Sequence, residues 1–209
     1  MSVFEKLVIA TGNKGKYREF VELIRNFAGE NFAAEIIFAP EIAGLAVEET
    51  GESYSENAIL KARAWSGISG LPCLADDSGL EVAALNGAPG LFSARIIEGS
   101  DSEKNHWLLK KLSGIENADR TARFFAAIAI SVPGEYVFVS EGECRGRIAD
   151  SMIGSNGFGY DPLFVPDKFD LTFAELDSNT KNAISHRTDA FKKVLSFYGF
   201  EIRNLKFEI

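Results

Sequence analysis

The chain has 209 residues, of which 46% are hydrophobic and 25% charged. That balance supports a sizeable core in one large domain or two intimate lobes, and argues against disorder over most of the length. The formal net charge of -8 disfavours a nucleic-acid polymer as partner, although a few basic groups and a metal ion can still gather a small anion.

The opening residues lack a charged segment followed by an apolar leader, and no apolar run approaches the ~20 residues of a membrane span. A cytoplasmic location without a membrane partner is expected. Cys73 and Cys144 form no C-x-x-C pair, and with only His106 and His186 beside them they make a thin zinc set. They read as buried, reduced thiols.

In chain order, Leu7 to Ala10 is a short apolar run that reads as a buried strand. Apolar residues at Tyr17, Phe20, Val21, Ile24 and Phe27 follow at helical spacing. Residues 34–39 read as a second strand, and 40–51 as a loop carrying Glu48 and Glu49. Ser53 with Glu56 forms the pattern of a capping box, which predicts a helix over about 54–66 with Ala58, Ala62 and Trp65 on one face. Residues 73–75 make a short strand ending in Asp76-Asp77-Ser78-Gly79, with another strand at 80–85 and a loop at 87–90. A helix is expected over 102–112, with Trp107 and Leu108 inward.

Residues 123–132 and 136–144 form a predicted hairpin, with Pro133-Gly134 suited to a type II turn. A glycine-rich loop covers 154–159, a last helix runs over about 185–198, and a terminal strand is expected at 201–207. Mixed helices and strands with an antiparallel hairpin point to an α/β fold with a mixed sheet, in one domain over 1–209.

Four segments carry chemistry. The first is Thr11-Gly12-Asn13-Lys14-Gly15-Lys16, at a strand-to-helix turn. Unpaired N–H groups and positive partial charge at a helix start, joined by two lysines and a hydroxyl, suit phosphate. It is neither a Walker A loop, because Ala10 stands where that motif needs glycine, nor a G-x-G-x-x-G fingerprint. An ordinary glycine turn with solvated lysines would share the sequence.

The second is acidic: Glu48 and Glu49 in a loop, and Asp76-Asp77 at a strand end with Ser78 and Gly79 beside them. Magnesium takes a few carboxylates together with waters and phosphate oxygens. Singly, each acid fits a solvated charge or a turn cap; grouped beside a phosphate-type turn, they favour a metal.

The third is Ser155 to Pro162, where Phe158 and Tyr160 lie among Gly157, Gly159 and Asp161. Loop aromatics can stack on a base and an acid can read ring N–H donors, but the same rings can equally plug a core. The fourth is Lys181 to Arg187. Ser185 as a helix cap would put His186 and Arg187 in a first turn, where cations oppose the helix dipole and call for an anion or an acidic partner. No nucleophile elbow is present.

Taken in register, TGNKGK (11–16), EETGESYSENAILKA (48–62), ADDSGLEV (75–82), GAPGLFSAR (87–95), FGYDP (158–162) and KNAISHR (181–187) resemble the inosine triphosphate pyrophosphatase family. The resemblance implies an elongated mixed sheet with flanking helices, two lobes around a central cleft, and a homodimer. It implies hydrolysis of ITP, dITP and XTP to the monophosphate and pyrophosphate with Mg²⁺.

Thr11 to Lys16 and Ser78 would hold the triphosphate, with Lys61 and Arg95 near it. Glu48 and Asp77 would bind the metal, Glu49 being the alternative to Glu48, and Asp77 would accept the proton of water. Phe158, Gly159, Tyr160, Asp161, Lys181, His186 and Arg187 would form the base pocket. Ser155-Asn156 and Asp177 to Thr180 depart from the family pattern, in segments that bear on the base pocket and not on the metal. The competing readings are a Maf-like pyrophosphatase for pyrimidine or modified nucleotides, a nucleotide sensor without catalysis, and a purely structural protein, which would leave the grouped acids without a use.

Overall fold

The structure, a computed structural model, describes residues 4–28 and 34–197. Its strands are β1 (Lys6–Ile9), β2 (Glu35–Phe38), β3 (Cys73–Val82), β4 (Thr121–Ser131), β5 (Val137–Ile148) and β6 (Phe164–Pro166). Its helices are α1 (Lys14–Ala28), α2 (Tyr54–Ser69), α3 (Asp101–Ser113), α4 (Ser178–Ile184) and α5 (His186–Phe197). The strands follow the order β2-β1-β3-β4-β5-β6 in one sheet. It is mixed: β1 runs parallel to β2 and to β3, whereas β5 and β6 are antiparallel. The α/β class is therefore as expected. Among the described residues no helix is long and apolar enough to cross a membrane.

The chain divides into two compact units, one of residues 1–77, 127–141 and 190–209 and the other of residues 78–126 and 142–189. The core of the first joins Leu7 and Ile9 of β1 to Phe20, Leu23, Ile24 and Phe27 of α1, with Leu74, Ile128 and the α5 residues Phe191, Val194 and Leu195. The α1 positions recur every three or four residues, so one stripe of the helix enters the core. In the second unit, Leu80 and Val82 of β3 pack with Leu108 and Leu112 of α3, and with Phe124, Tyr160, Phe164 and Phe173. The Phe124 ring lies parallel to the rings of Phe173 and His186, at centroid distances of 5.9 and 4.8 Å.

Several expectations need correction. The two short strands around Asp76 and Asp77 are one continuous strand, β3. Four small or polar residues break the apolar run in sequence, but lysines brought in by two helices meet the acids and allow the strand to continue through them. At Ser53 only half of the capping box forms: Ser53 Oγ accepts the Glu56 N–H, while Glu56 Oε2 accepts the N–H of Glu52. A complete box stands instead at Ser100 and Glu103, ahead of α3. Helix α4 was not anticipated, because its sequence has no apolar stripe; Asp177 caps it by accepting the N–H groups of Asn179 and Thr180.

The hairpin turn is as expected, with Glu135 N–H donating to the Val132 carbonyl and Gly134 at φ 73°, the left-handed value that a type II turn requires. Ser185 also acts as foreseen, accepting the Thr188 N–H at the start of α5. The strand expected at 201–207 lies outside the described residues.

Candidate active site

The first unit gathers the acids and lysines. At the turn into α1, Asn13 is the helix cap: its Oδ1 accepts the N–H groups of Gly15 and Lys16, and its own N–H donates to Thr11 Oγ1. The turn is thus held open by its own side chains, with Gly12, Asn13 and Lys14 exposed. Lys16 instead turns inward, and its Nζ lies 2.6 Å from Asp76 Oδ2.

Asp76 and Asp77 are consecutive in β3, so their side chains leave opposite faces of the strand. Asp76 meets α1 through Lys16, and Asp77 meets α2. Asn57 and Lys61, one turn apart on α2, both reach Asp77: Asn57 Nδ2 donates to Oδ2 at 3.2 Å, and Lys61 Nζ to Oδ1 at 3.1 Å. Lys61 Nζ also lies 2.6 Å from Glu49 Oε1. Asn57 Oδ1 in turn accepts the Gly51 N–H at 2.8 Å, which ties the glutamate loop to the same carboxylate. A Cβ at Gly51 would come within 2.7 Å of that Oδ1, so only glycine allows this approach. Of the two candidate glutamates, Glu49 is therefore the one joined to Asp77 through Lys61, and Glu48 is exposed.

The electrostatics follow from an excess of acid. Asp77 is raised above the ordinary aspartate value, chiefly by burial; Lys61 and Lys16 pull it down, while Glu49 and Asp76 push it further up. Burial lowers the Lys61 ammonium pKa, but Asp77 and Glu49 outweigh it and leave the group above its ordinary value. Asp77 and Glu49 share Lys61, and Asp76 pairs with Lys16, so carboxylates that could take a cation lie close together here. Among the described residues no group of three acids, cysteines or histidines converges as a ready-made metal cage. The set instead suits a hard cation held by one or two carboxylates, with waters and phosphate oxygens completing its shell.

The second unit gathers the loop residues. Asp161 Oδ2 accepts the Phe158 N–H at 2.8 Å and lies 2.6 Å from Lys181 Nζ. Gly157, at φ 75°, leaves room for that carboxylate, with which a Cβ would collide. The Phe158 ring is half-buried, with Lys181 Nζ 5.0 Å and Arg187 Cζ 5.4 Å from its centroid. Arg187 also donates to Ser78 Oγ at 2.7 Å. His186 is buried against Phe124, and Arg95 is exposed with its guanidinium over the Phe92 ring.

Four of the residues singled out in the sequence have structural partners of their own. Tyr160 is a core residue, with its hydroxyl donating to the Ser93 carbonyl, because its ring finds an apolar socket that Phe158 does not share. The Asp161 carboxylate braces its own loop and Lys181. Ser78 pairs with Arg187 within the second unit. Asp76, which the sequence offers either as a turn cap or as one of the grouped acids, is a buried partner of Lys16. Asn57 was missed altogether; its signal was a polar residue on the helix face defined by Ala58, Ala62 and Trp65, four positions before Lys61.

The Ham1 family profile matches residues 7–197 of the chain. A protein named dITP/XTP pyrophosphatase from Listeria innocua is 46% identical over 191 residues, spanning 90% of this chain and 92% of its own length. A protein of the same name from Bacillus subtilis is 45% identical over 198 residues, spanning 93% and 97%. Among solved structures, the Ham1 protein of Staphylococcus aureus superposes with a TM-score of 0.79 at 40% identity, covering 93% of this chain and 98% of its own. A HAM1 protein from Coxiella burnetii does so with a TM-score of 0.81 at 39% identity and the same coverage.

Proposed function

Because the chain belongs to the Ham1 family, we propose that it hydrolyses the non-standard purine nucleoside triphosphates dITP, XTP and ITP to the monophosphate and pyrophosphate, clearing them from the nucleotide pool. The relatives named dITP/XTP pyrophosphatase support the substrate class. The observation that carries the chemistry is the cluster of Lys16, Lys61, Glu49, Asp76 and Asp77.

In this reading Thr11 to Lys16, with Lys61, bind the polyphosphate and stabilise the charge of the leaving pyrophosphate. Asp77, held by Asn57 and Lys61 on the rim of this cluster, orients the attacking water and accepts its proton. Asp77 and Glu49 would hold Mg²⁺, which when bound neutralises triphosphate charge. Displacement at phosphorus needs positioning and charge stabilisation, so no covalent nucleophile is required.

Phe158 offers a face for the base, with Lys181 and Arg187 beside it as donors. A 6-keto purine presents an acceptor to such donors, whereas adenine presents an amino donor and leaves them unpaired, which supports discrimination against ATP. The two buried free thiols suit a reducing compartment such as the cytoplasm, and the proposed assembly is the homodimer that the family resemblance implies.

Pyrophosphate release from dITP, XTP, ITP, GTP, ATP and a pyrimidine triphosphate tests the activity, with Asp77→Asn as the control. Rapid turnover of the inosine and xanthine nucleotides, lost in that variant, is the expected result. Preference for the pyrimidine would support the Maf-like alternative, and tight binding without pyrophosphate release would support a sensor.

A further inference from the structure

Helix α3 has no part in the roles assigned so far, yet its first two turns grip one residue of the base-reading loop by both backbone groups. Asp101 Oδ2 accepts the Gly159 N–H at 2.7 Å, and Asn105 Nδ2 donates to the Gly159 carbonyl at 2.8 Å. The two side chains are one helical turn apart and share a face. The Asn105 amide also donates to the Asp101 carbonyl at 2.8 Å. Both its partners are carbonyl oxygens, so the amide nitrogen must be the atom that faces them.

Asn105 is 1% exposed, and its Oδ1 has no hydrogen-bond partner. Leaving a buried acceptor unmatched is unfavourable. A leucine of similar size would pack there without that penalty, so what the amide distinctively adds is its donor to Gly159.

The N–H of Gly159 belongs to the peptide plane shared with Phe158, and its carbonyl to the plane shared with Tyr160. Holding both planes fixes the backbone of Gly159, which sits at φ 63°, in a region where glycine would otherwise be free to turn. On the far side of the loop, Tyr160 is anchored by its hydroxyl and the Phe158 N–H by Asp161. The direction in which Phe158 leaves the backbone is thereby set from α3.

We propose that Asp101 and Asn105 are positioning residues for purine selectivity: by clamping Gly159 they hold the Phe158 ring beside Lys181 and Arg187, where the base is read. This rests on the base-reading role given above to the FGYDP loop.

Asp101 is half-exposed, so Asp101→Ala retains the fold. The expected result is a KM for dITP raised about tenfold with kcat within about twofold, and a dITP-to-dATP ratio of kcat/KM narrowed about tenfold, the size expected for one lost charge-assisted hydrogen bond. Asp101→Asn keeps an oxygen for the Gly159 N–H and restores both values. Asn105→Leu, which keeps the size and removes the donor, shifts KM in the same direction.

The clamp is refuted if Asp101→Ala leaves KM and the ratio unchanged. It is equally refuted if kcat falls together with thermal stability and Asp101→Asn gives no rescue. Phe158→Ala separates the two layers. If it changes the ratio while the Asp101 variants do not, the loop still reads the base and only the clamp fails. If it changes neither KM nor the ratio, the loop is not the reader and both ideas fall.

Discussion

Lys16 Nζ lies 2.6 Å from Asp76 Oδ2, and the Asp76 side chain is fully buried. The pair joins the start of α1 to β3 and lets a charged residue occupy the interior of a strand. Removing one member of a buried pair strands the other charge, at about 3–5 kcal/mol. Lys16→Met is therefore expected to lower the urea midpoint sharply and to abolish pyrophosphate release. The double variant Lys16→Met, Asp76→Asn should regain most of the stability and none of the activity. A single variant as stable as the parent protein would show that the pair contributes nothing to the fold.

The two loop glutamates should differ in their dependence on magnesium. Glu49 shares Lys61 with Asp77, and Glu48 is exposed. Glu49→Gln is expected to raise the magnesium concentration for half-maximal activity about tenfold, equivalent to about 1.4 kcal/mol, and Glu48→Gln to leave it within about twofold. Magnesium titrations of pyrophosphate release and of melting temperature check this. The reverse order would reinstate Glu48 as the ligand.

Selectivity should respond to Arg187. Its guanidinium stands against the Phe158 ring and donates to Ser78 Oγ. Removing a donor aimed at a 6-keto group lowers turnover of keto purines more than that of ATP. Arg187→Ala should narrow the XTP-to-ATP ratio of kcat/KM by about tenfold, the effect of a lost hydrogen bond of roughly 1.4 kcal/mol. An unchanged ratio would take Arg187 out of base reading.

The thiols should be inert. Burial pushes Cys73 up to about 11, against the opposing pull of its hydrogen bond to Ser69, and burial with nearby acids pushes Cys144 up to about 12. At pH 8 both are protonated, and the thiolate is the reactive form, so iodoacetamide should label neither until the protein unfolds. The native state holds these protons more tightly than the unfolded chain. Their contribution to stability is therefore fully present below the ordinary thiol pKa and is lost as pH rises through 9 towards 11. Mass spectrometry after alkylation and melting curves between pH 8 and 11 test both halves; labelling at pH 8 in the folded state would contradict the burial argument.

Local chemistry is legible in the residue order. Helical spacing locates α1, the Ser53 cap locates α2, and Pro133-Gly134 locates the hairpin turn, because each signal depends only on residues a few positions apart. Phe158 and Tyr160 are harder to separate. Two aromatics in one glycine-rich loop look alike in sequence, and only the surrounding fold sends one into the core and leaves the other half-buried.

By itself, then, the sequence determined most of the helices and the hairpin, the α/β class and the family, since periodicity, turn residues and motif register are written along the chain. Tertiary structure alone decided that Asp76 is a buried partner of Lys16, that Glu49 rather than Glu48 reaches Lys61, and that Asn57 and Asn105 serve as struts. Those facts depend on which distant side chains supply a compensating charge or donor at a buried site, and spacing along one strand or helix does not encode that.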